Sequence, residues 1–278
     1  MPTKIEWCDE VWNPVTGCDP ISEGCQNCYA ARMANRLQGR FGYPAGDPFR
    51  VIWHPDKEHQ PSHWRKPRRI FVISMGDLFH KDVPDEYIWK VFEEATCGNR
   101  RHTYIFLTKR PARMKQWFDL YQERFWHYHA PGQPKRPYVT PDWPDSQIWL
   151  GVTAENQARA DERIPILLSI PAAVHFVSVE PMLGPVDLET YLLSDADKAA
   201  HEDQLLEPIQ GFNYRKLNWV IAGPETGPGK RKCKNFWINH LWLQCGAAGV
   251  PFFDKRKTGW QAREWPILRH GASEGRPK

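Results

Sequence analysis

Ile70-Phe71-Val72-Ile73-Ser74-Met75-Gly76-Asp77 is a near-continuous apolar run that stops at a glycine and an acid. A strand with one wet face alternates apolar and polar residues, whereas a strand covered on both faces does not. Residues 70–75 are of the second kind and read as a buried strand of a parallel sheet. The same unit recurs along the chain. Residues 103–108 run into Lys109-Arg110 and a helix that Pro111 can start, and 148–153 run into Ala154-Glu155-Asn156 and a helix to about Leu168. Residues 174–179 run into Glu180-Pro181, and 218–222 run into Gly223-Pro224-Glu225 and a helix over 235–247. Helices over 29–37 and 85–96 and a last short strand over 250–253 complete the pattern.

Repeated strand–helix units without a dinucleotide-type glycine signature predict an α/β fold, a complete or partial (β/α) barrel rather than an open sheet. In such barrels the site lies at the carboxyl ends of the strands. Here those ends carry a cysteine loop, Ser74 with Gly76 and Asp77, Thr108 with Lys109, Thr153 with Glu155, Ser178 with Glu180, and Glu225. Polar groups at every strand end imply one polar site on one face. Two stretches depart from the repeat, 121–147 and 191–216, and read as loop insertions in a single domain over 1–272. Residues 273–278 read as a loose tail.

The chain has 278 residues, 41% of them apolar, enough for a sizeable core. It has no apolar run long enough to span a membrane and opens without an apolar leader, so a soluble, cytoplasmic protein is expected. Seven cysteines, an odd number with three clustered, argue against a secreted disulfide framework and for thiols that hold metal. A formal charge of +4 identifies no partner by itself. The fourteen tryptophans are read mainly as core, with stacking on bases as their other use.

The clustered thiols are Cys18, Cys25 and Cys28, in Thr16-Gly17-Cys18 and Gly24-Cys25-Gln26-Asn27-Cys28-Tyr29. A tetrahedral zinc or an all-cysteine cluster takes four ligands. Three thiolates on a [4Fe-4S] cube would leave one iron open, while recruiting Cys8 would close the site around zinc or a cluster. Spacing alone does not separate these two readings; the position of the loop at the mouth of a barrel favours the open one.

Several longer segments carry a resemblance. Lys4-Ile5-Glu6-Trp7, Trp12-Asn13-Pro14-Val15-Thr16-Gly17-Cys18, Ser74-Met75-Gly76-Asp77-Leu78-Phe79-His80, Leu107-Thr108-Lys109-Arg110-Pro111, Trp149-Leu150-Gly151-Val152-Thr153-Ala154-Glu155-Asn156 and Glu180-Pro181-Met182-Leu183-Gly184-Pro185 resemble the phage Gp37/Gp68 family, which is radical S-adenosylmethionine-like. The resemblance implies a (β/α)6-type partial barrel whose Cys18, Cys25 and Cys28 bind a [4Fe-4S] cluster. It further implies that the open iron takes S-adenosylmethionine, which an external donor of flavodoxin or ferredoxin type helps cleave to a 5′-deoxyadenosyl radical. Members tend to carry Thr at the place of Cys8. The phage setting makes a nucleobase, nucleotide or nucleic acid the expected substrate.

Within that reading Ser74, Gly76, Asp77, Thr153, Glu155, Glu180 and Glu225 are the candidate cofactor contacts, and Lys109 and Glu180 the candidate catalytic groups. Asp77 would face the methionyl ammonium, with a helix-capping role as its bland alternative. The acids have an equally bland reading as helix-terminal charges. His80 and His175 read as core or surface, and Cys97 and Cys245 as buried thiols. Cys233, among lysines and an arginine, is expected to have a lowered pKa. Lys109-Arg110, Lys230-Arg231-Lys232 with Lys234, and Lys255-Arg256-Lys257 follow strand ends and are expected to rim the mouth, with Trp260 beside the last. Arg65-Lys66-Pro67-Arg68-Arg69 precedes a strand and falls on the opposite face. The rival classes are a non-catalytic iron–sulfur or zinc protein that binds nucleic acid, and a (β/α) hydrolase using the carboxylates as acid and base.

Overall fold

Seven parallel strands build one sheet, and their order in space is their order in the chain. In the computed structural model the chain begins with β1 (Glu10–Trp12) and a small antiparallel pair, β2 (Val15–Thr16) with β3 (Ile52–Trp53). The sheet continues from β1 through β4 (Arg69–Val72), β5 (Thr103–Thr108), β6 (Ile148–Thr153), β7 (Val174–Val179), β8 (Trp219–Ala222) and β9 (Phe252–Asp254). The helices are α1 (Tyr29–Leu37), α2 (Asp85–Cys97), α3 (Pro111–Tyr128), α4 (Gln157–Leu168), α5 (Glu189–Leu192) and α6 (Asn235–Ala247). The structure describes residues 3, 5–98, 100–128, 143–193, 216–256 and 263–266. Most of both insertions, Lys257, Trp260 and the tail lie outside the described residues.

Because each unit adds its strand beside the previous one, the order never reverses and the sheet curls into a half-barrel. Successive side chains point to opposite faces of a strand, so the curled sheet buries two separate layers. Ile70, Val72, Tyr104, Phe106, Leu150, Val152, Val177 and Val220 face outward onto the helices. Phe71, Ile105, Trp149, Phe176, Trp219 and Phe253 face the concave interior with Trp7 and Cys8. Both faces being dry is why the strands lack polar alternation.

The concave floor is an aromatic cluster. Trp219 meets Trp149 and Trp7 edge-on, with ring centroids 5.8 and 6.2 Å away, and Phe176 lies 5.5 Å from it. Gly151 leaves room for Phe176, since a Cβ there would stand 2.4 Å from the ring. These indoles pack a core, as expected for most of the tryptophans. The gap between β9 and β1 is bridged at the same end by residues 263–266. Glu264 N donates to Phe252 O, Trp265 Nε1 donates to Trp7 O, and Arg263 pairs with Glu6 at 3.3 Å.

One expectation changes. The strand expected over 70–75 ends at Val72, because Ile73 turns into the left-handed region at φ 61°. That conformation is costly for a β-branched residue. It is held by the Ile73 amide, which donates to Trp12 O at 2.7 Å. The β2–β3 pair is too short to have shown a period. No helix among the described residues is long and apolar enough to cross a membrane.

Trp219→Ala should cost about 3–5 kcal/mol by emptying the centre of the floor. Leu243→Ala, at a residue 58% exposed on α6, should stay within about 0.5 kcal/mol. Urea unfolding of the two variants beside the parent chain measures both, and equal midpoints would contradict the packing described.

Candidate functional site

The thiol loop is shaped by two glycines and an asparagine. Asn13, just past β1, accepts from the Met75 amide at 3.0 Å and the Ser74 hydroxyl at 3.3 Å, tying the ends of β1 and β4 together. Gly17, at φ 99°, donates to Met75 O at 2.9 Å and bridges to Gly76. A Cβ on Gly17 would fall 2.0 Å from Arg50 O, and one on Gly76 would fall 2.7 Å from Gly17 O. Cys18 follows, its amide donating to Phe49 O. Cys25 ends the 3₁₀ turn Glu23–Cys25, and Cys28 caps the start of α1. All three ligand candidates therefore lie between the carboxyl end of β1 and α1, at the mouth.

The acids expected to line this mouth are each met by a basic residue, from another strand end for Asp77, Glu155 and Glu180 and from the same loop for Glu225. Asp77 is held by Arg110 at 3.1 Å, Glu155 by Lys109 at 3.0 Å, Glu180 by Lys255 at 2.5 Å and Glu225 by Arg231 at 2.5 Å. Asp77 also accepts from the Thr108 hydroxyl at 2.7 Å and from the amides of Phe79 and Lys109. Four donors occupy the carboxylate that the sequence suggested for an ammonium. Thr153 and Ser178 pair in register at the upper end of the concave face, where both are buried.

Glu155 is fully buried and is the hub. Besides Lys109 it accepts from Arg163 of α4 at 3.0 Å and from the Ser22 hydroxyl at 2.6 Å. Burial alone would push its carboxyl up, but the charges of Lys109 and Arg163 and the Ser22 hydroxyl hold it below the usual range. The thiol loop rests directly on it: a Cβ on Gly24 would stand 2.3 Å from a Glu155 oxygen. Glu225 clamps the other side of the loop. The Arg231 guanidinium and amide and the Asn27 side chain hold its carboxyl down at about 2. Arg231 Nη1 reaches on to Glu23 O at 2.9 Å.

The thiols differ. Burial and the nearby Asp77 push Cys18 up to about 11, against the Arg110 guanidinium that donates to its sulfur at 3.2 Å. Burial also works against ionising Cys25. There the Ile21 backbone, the Lys109 charge and the Ser22 backbone and hydroxyl prevail and set it below its ordinary value. Cys18 and Cys25 lie close enough to raise one another's cost of ionisation. Cys8 is elsewhere. It precedes β1, packs in the aromatic floor and is pushed up to about 12 by burial. Cys233 reverses its expectation, since burial lifts its thiol despite Arg256. Cys245 is buried and raised to about 12, and Cys97, partly buried, is raised. His175 is core, as expected.

His80 is less isolated than it read. Its Nε2 lies 2.6 Å from Asp19, and one ligand atom each from Cys18, Asp19 and His80 falls within 4.8 Å of the others. The Asp82 amide donates to His80 Nδ1, so Nε2 carries the proton and donates to Asp19. Arg110 also donates to Asp19, at 2.6 Å. Sequence reasoning passed over Asn13, Ser22, Asn27, Arg163 and the bridging part of Arg110.

A family model described as "Protein of unknown function (DUF5131)" matches residues 2–276. The chain belongs to that family. No curated protein and no solved structure matches it.

Glu155→Gln should destabilise the chain by about 3–5 kcal/mol, because it leaves the buried Arg163 and the half-buried Lys109 without a counter-charge. The depressed carboxyls add a pH dependence. Glu155 and Glu225 contribute stability that is complete above their ordinary 4.5 and is lost as pH falls through the folded values, to about 2 for Glu225. Urea unfolding from neutral pH down to about pH 3 should show a loss that shrinks in Glu155→Gln. A parallel loss in parent and variant would sink the assignment.

Proposed function

We propose that this chain is a radical S-adenosylmethionine enzyme with a [4Fe-4S] cluster on Cys18, Cys25 and Cys28. The observation that carries it is topological. Three thiols stand on one loop at the mouth of the half-barrel, while Cys8, the nearest cysteine in sequence, is buried at the far end of β1. A closed four-cysteine site through Cys8 would have to dismantle the aromatic floor. The donor set fits the cluster: soft sulfur ligands, one with a lowered pKa, and a guanidinium that donates to another.

When bound, such a cluster supplies the electron, received from an external donor of flavodoxin or ferredoxin type, that cleaves S-adenosylmethionine to methionine and a 5′-deoxyadenosyl radical. The chain's own residues do the rest. Lys109 favours the Cys25 thiolate while Glu155 fixes the lysine in place. Arg110 donates to Cys18 and is itself oriented by Asp77 and Asp19, so Asp77 is a positioning residue. Ser74 and Gly76 after β4 and Thr153 at the end of β6 would meet the cofactor, with the Glu180–Lys255 and Glu225–Arg231 pairs at the neighbouring strand ends. The tryptophan floor keeps water from entering below.

One observation favours a second reading, a single metal ion on Cys18, Asp19 and His80. It requires His80 to turn a lone pair away from its present bonds and Arg110 to withdraw.

Anaerobic reconstitution separates the two. The cluster reading expects about four irons per chain, lost in Cys18→Ala, Cys25→Ala and Cys28→Ala and kept in Cys8→Ala and His80→Ala. About one metal ion per chain, lost in His80→Ala and kept in Cys28→Ala, favours the rival. With dithionite, the clustered protein should yield 5′-deoxyadenosine from S-adenosylmethionine. An intact cluster that binds no S-adenosylmethionine would overturn the proposal.

A further inference from the structure

Pairing at the mouth leaves an unusual remainder of charge. Lys109, Arg110, Arg231, Lys255 and Arg256 are taken up by acids. Lys230, Lys232 and Lys234 are exposed and have no carboxylate partner among the described residues. The segment they belong to holds no Asp or Glu from Thr226 to Phe253. A second acid-free segment runs from Gln26 to Gly46 and contains α1. The fold docks the two together. Arg32 Nη1 of α1 donates to Pro228 O at 3.2 Å, and Asn27 Nδ2 donates to Gly229 O at 2.9 Å.

The docked face carries rings as well as cations. Tyr29, Arg32 and Arg36 fall at i, i+3 and i+7, one side of α1. Tyr29 follows Cys28 directly and is 59% exposed. Phe236 opens α6 at 60% exposed, with Lys234 Nζ 5.8 Å from its ring centre. Neither Arg32 nor Arg36 has a carboxylate partner among the described residues. Glu23 and Glu225, the acids on the adjoining loops, are held by Arg159 and Arg231. Five cations without a carboxylate partner among the described residues and two exposed aromatic rings therefore lie on these two docked segments, next in sequence to the thiol loop on the α1 side.

We propose that this face binds a single-stranded nucleic acid. Arg32, Arg36, Lys230, Lys232 and Lys234 meet its phosphates, and Tyr29 and Phe236 stack on its bases. Phosphates favour cations that no internal carboxylate neutralises, and unpaired bases offer flat faces that duplex DNA hides. The inference deepens the preceding reading by naming the substrate class, and rests on it only for what happens to the strand after binding.

The test uses the full chain and fluorescence anisotropy with a labelled single-stranded oligonucleotide, its duplex, and heparin, across a salt series. Lys230→Gln, Lys232→Gln and Lys234→Gln together should weaken oligonucleotide binding by about tenfold or more and lower the salt slope by about two. Arg65→Gln with Lys66→Gln, on the opposite face, should leave both unchanged. Phe236→Ala should weaken oligonucleotide but not heparin binding. The proposal is overturned if the lysine triple has no effect, if duplex binds as tightly as single strand, or if Phe236→Ala affects neither ligand. Iron content measured on the same samples keeps this outcome apart from the cluster: a triple variant that keeps its iron and loses the oligonucleotide has lost this face alone.

Discussion

The carboxylate of Glu155 is the constraint on which the mouth of this half-barrel depends. It is fully buried, and an ionised carboxylate in that position is tolerable only with opposite charge and hydrogen bonds around it. Lys109 comes from the end of β5, Arg163 from α4 and Ser22 from the thiol loop, so the one group joins three separate parts of the chain. Two cations on one anion leave a positive surplus, and Cys25 is the group that benefits. The glycine at position 24 belongs to the same arrangement, since any side chain there would displace the carboxylate. Electrostatics and loop shape at this site are thus one problem with one solution.

The other strand ends repeat the device less deeply. Glu225 and Arg231 fasten the loop after β8 to the thiol loop, Glu180 and Lys255 join the ends of β7 and β9, and Asp77 orients Arg110 toward Cys18. The result is a polar rim whose charges satisfy each other, standing above an aromatic floor whose central indole, Trp219, donates to Glu264 O.

Most of the architecture was legible because both faces of each strand are dry. Residues 103–108, 148–153 and 174–179 match β5, β6 and β7, and their uninterrupted apolar character comes from the helices outside and the rings inside. The positions of the acids at strand ends were legible too. Their partners were not, because Glu155 and Arg163 meet across eight residues and Glu180 and Lys255 meet across 75 residues. A linear sequence shows charges but not their pairing, so a rim that read as surplus positive is largely neutral inside. Cys233 misled for the same reason: Arg231 is taken up by Glu225 and the flanking lysines are exposed, whereas its sulfur is set by burial. The end of β4 was misjudged because Ile73 adopts a backbone conformation that its own side chain disfavours, which only the surrounding contacts can impose.

The strap at residues 263–266 has a consequence for how the chain becomes folded. Trp265 closes on Trp7 and Arg263 on Glu6, contacts that span 258 and 257 positions. Loop closure of that length contributes late and slowly to folding. During synthesis Trp7 and β1 must therefore wait without this cover until residues 263–266 have been made. The nascent protein spends that interval with apolar surface exposed, the condition in which growing chains associate wrongly or recruit chaperones.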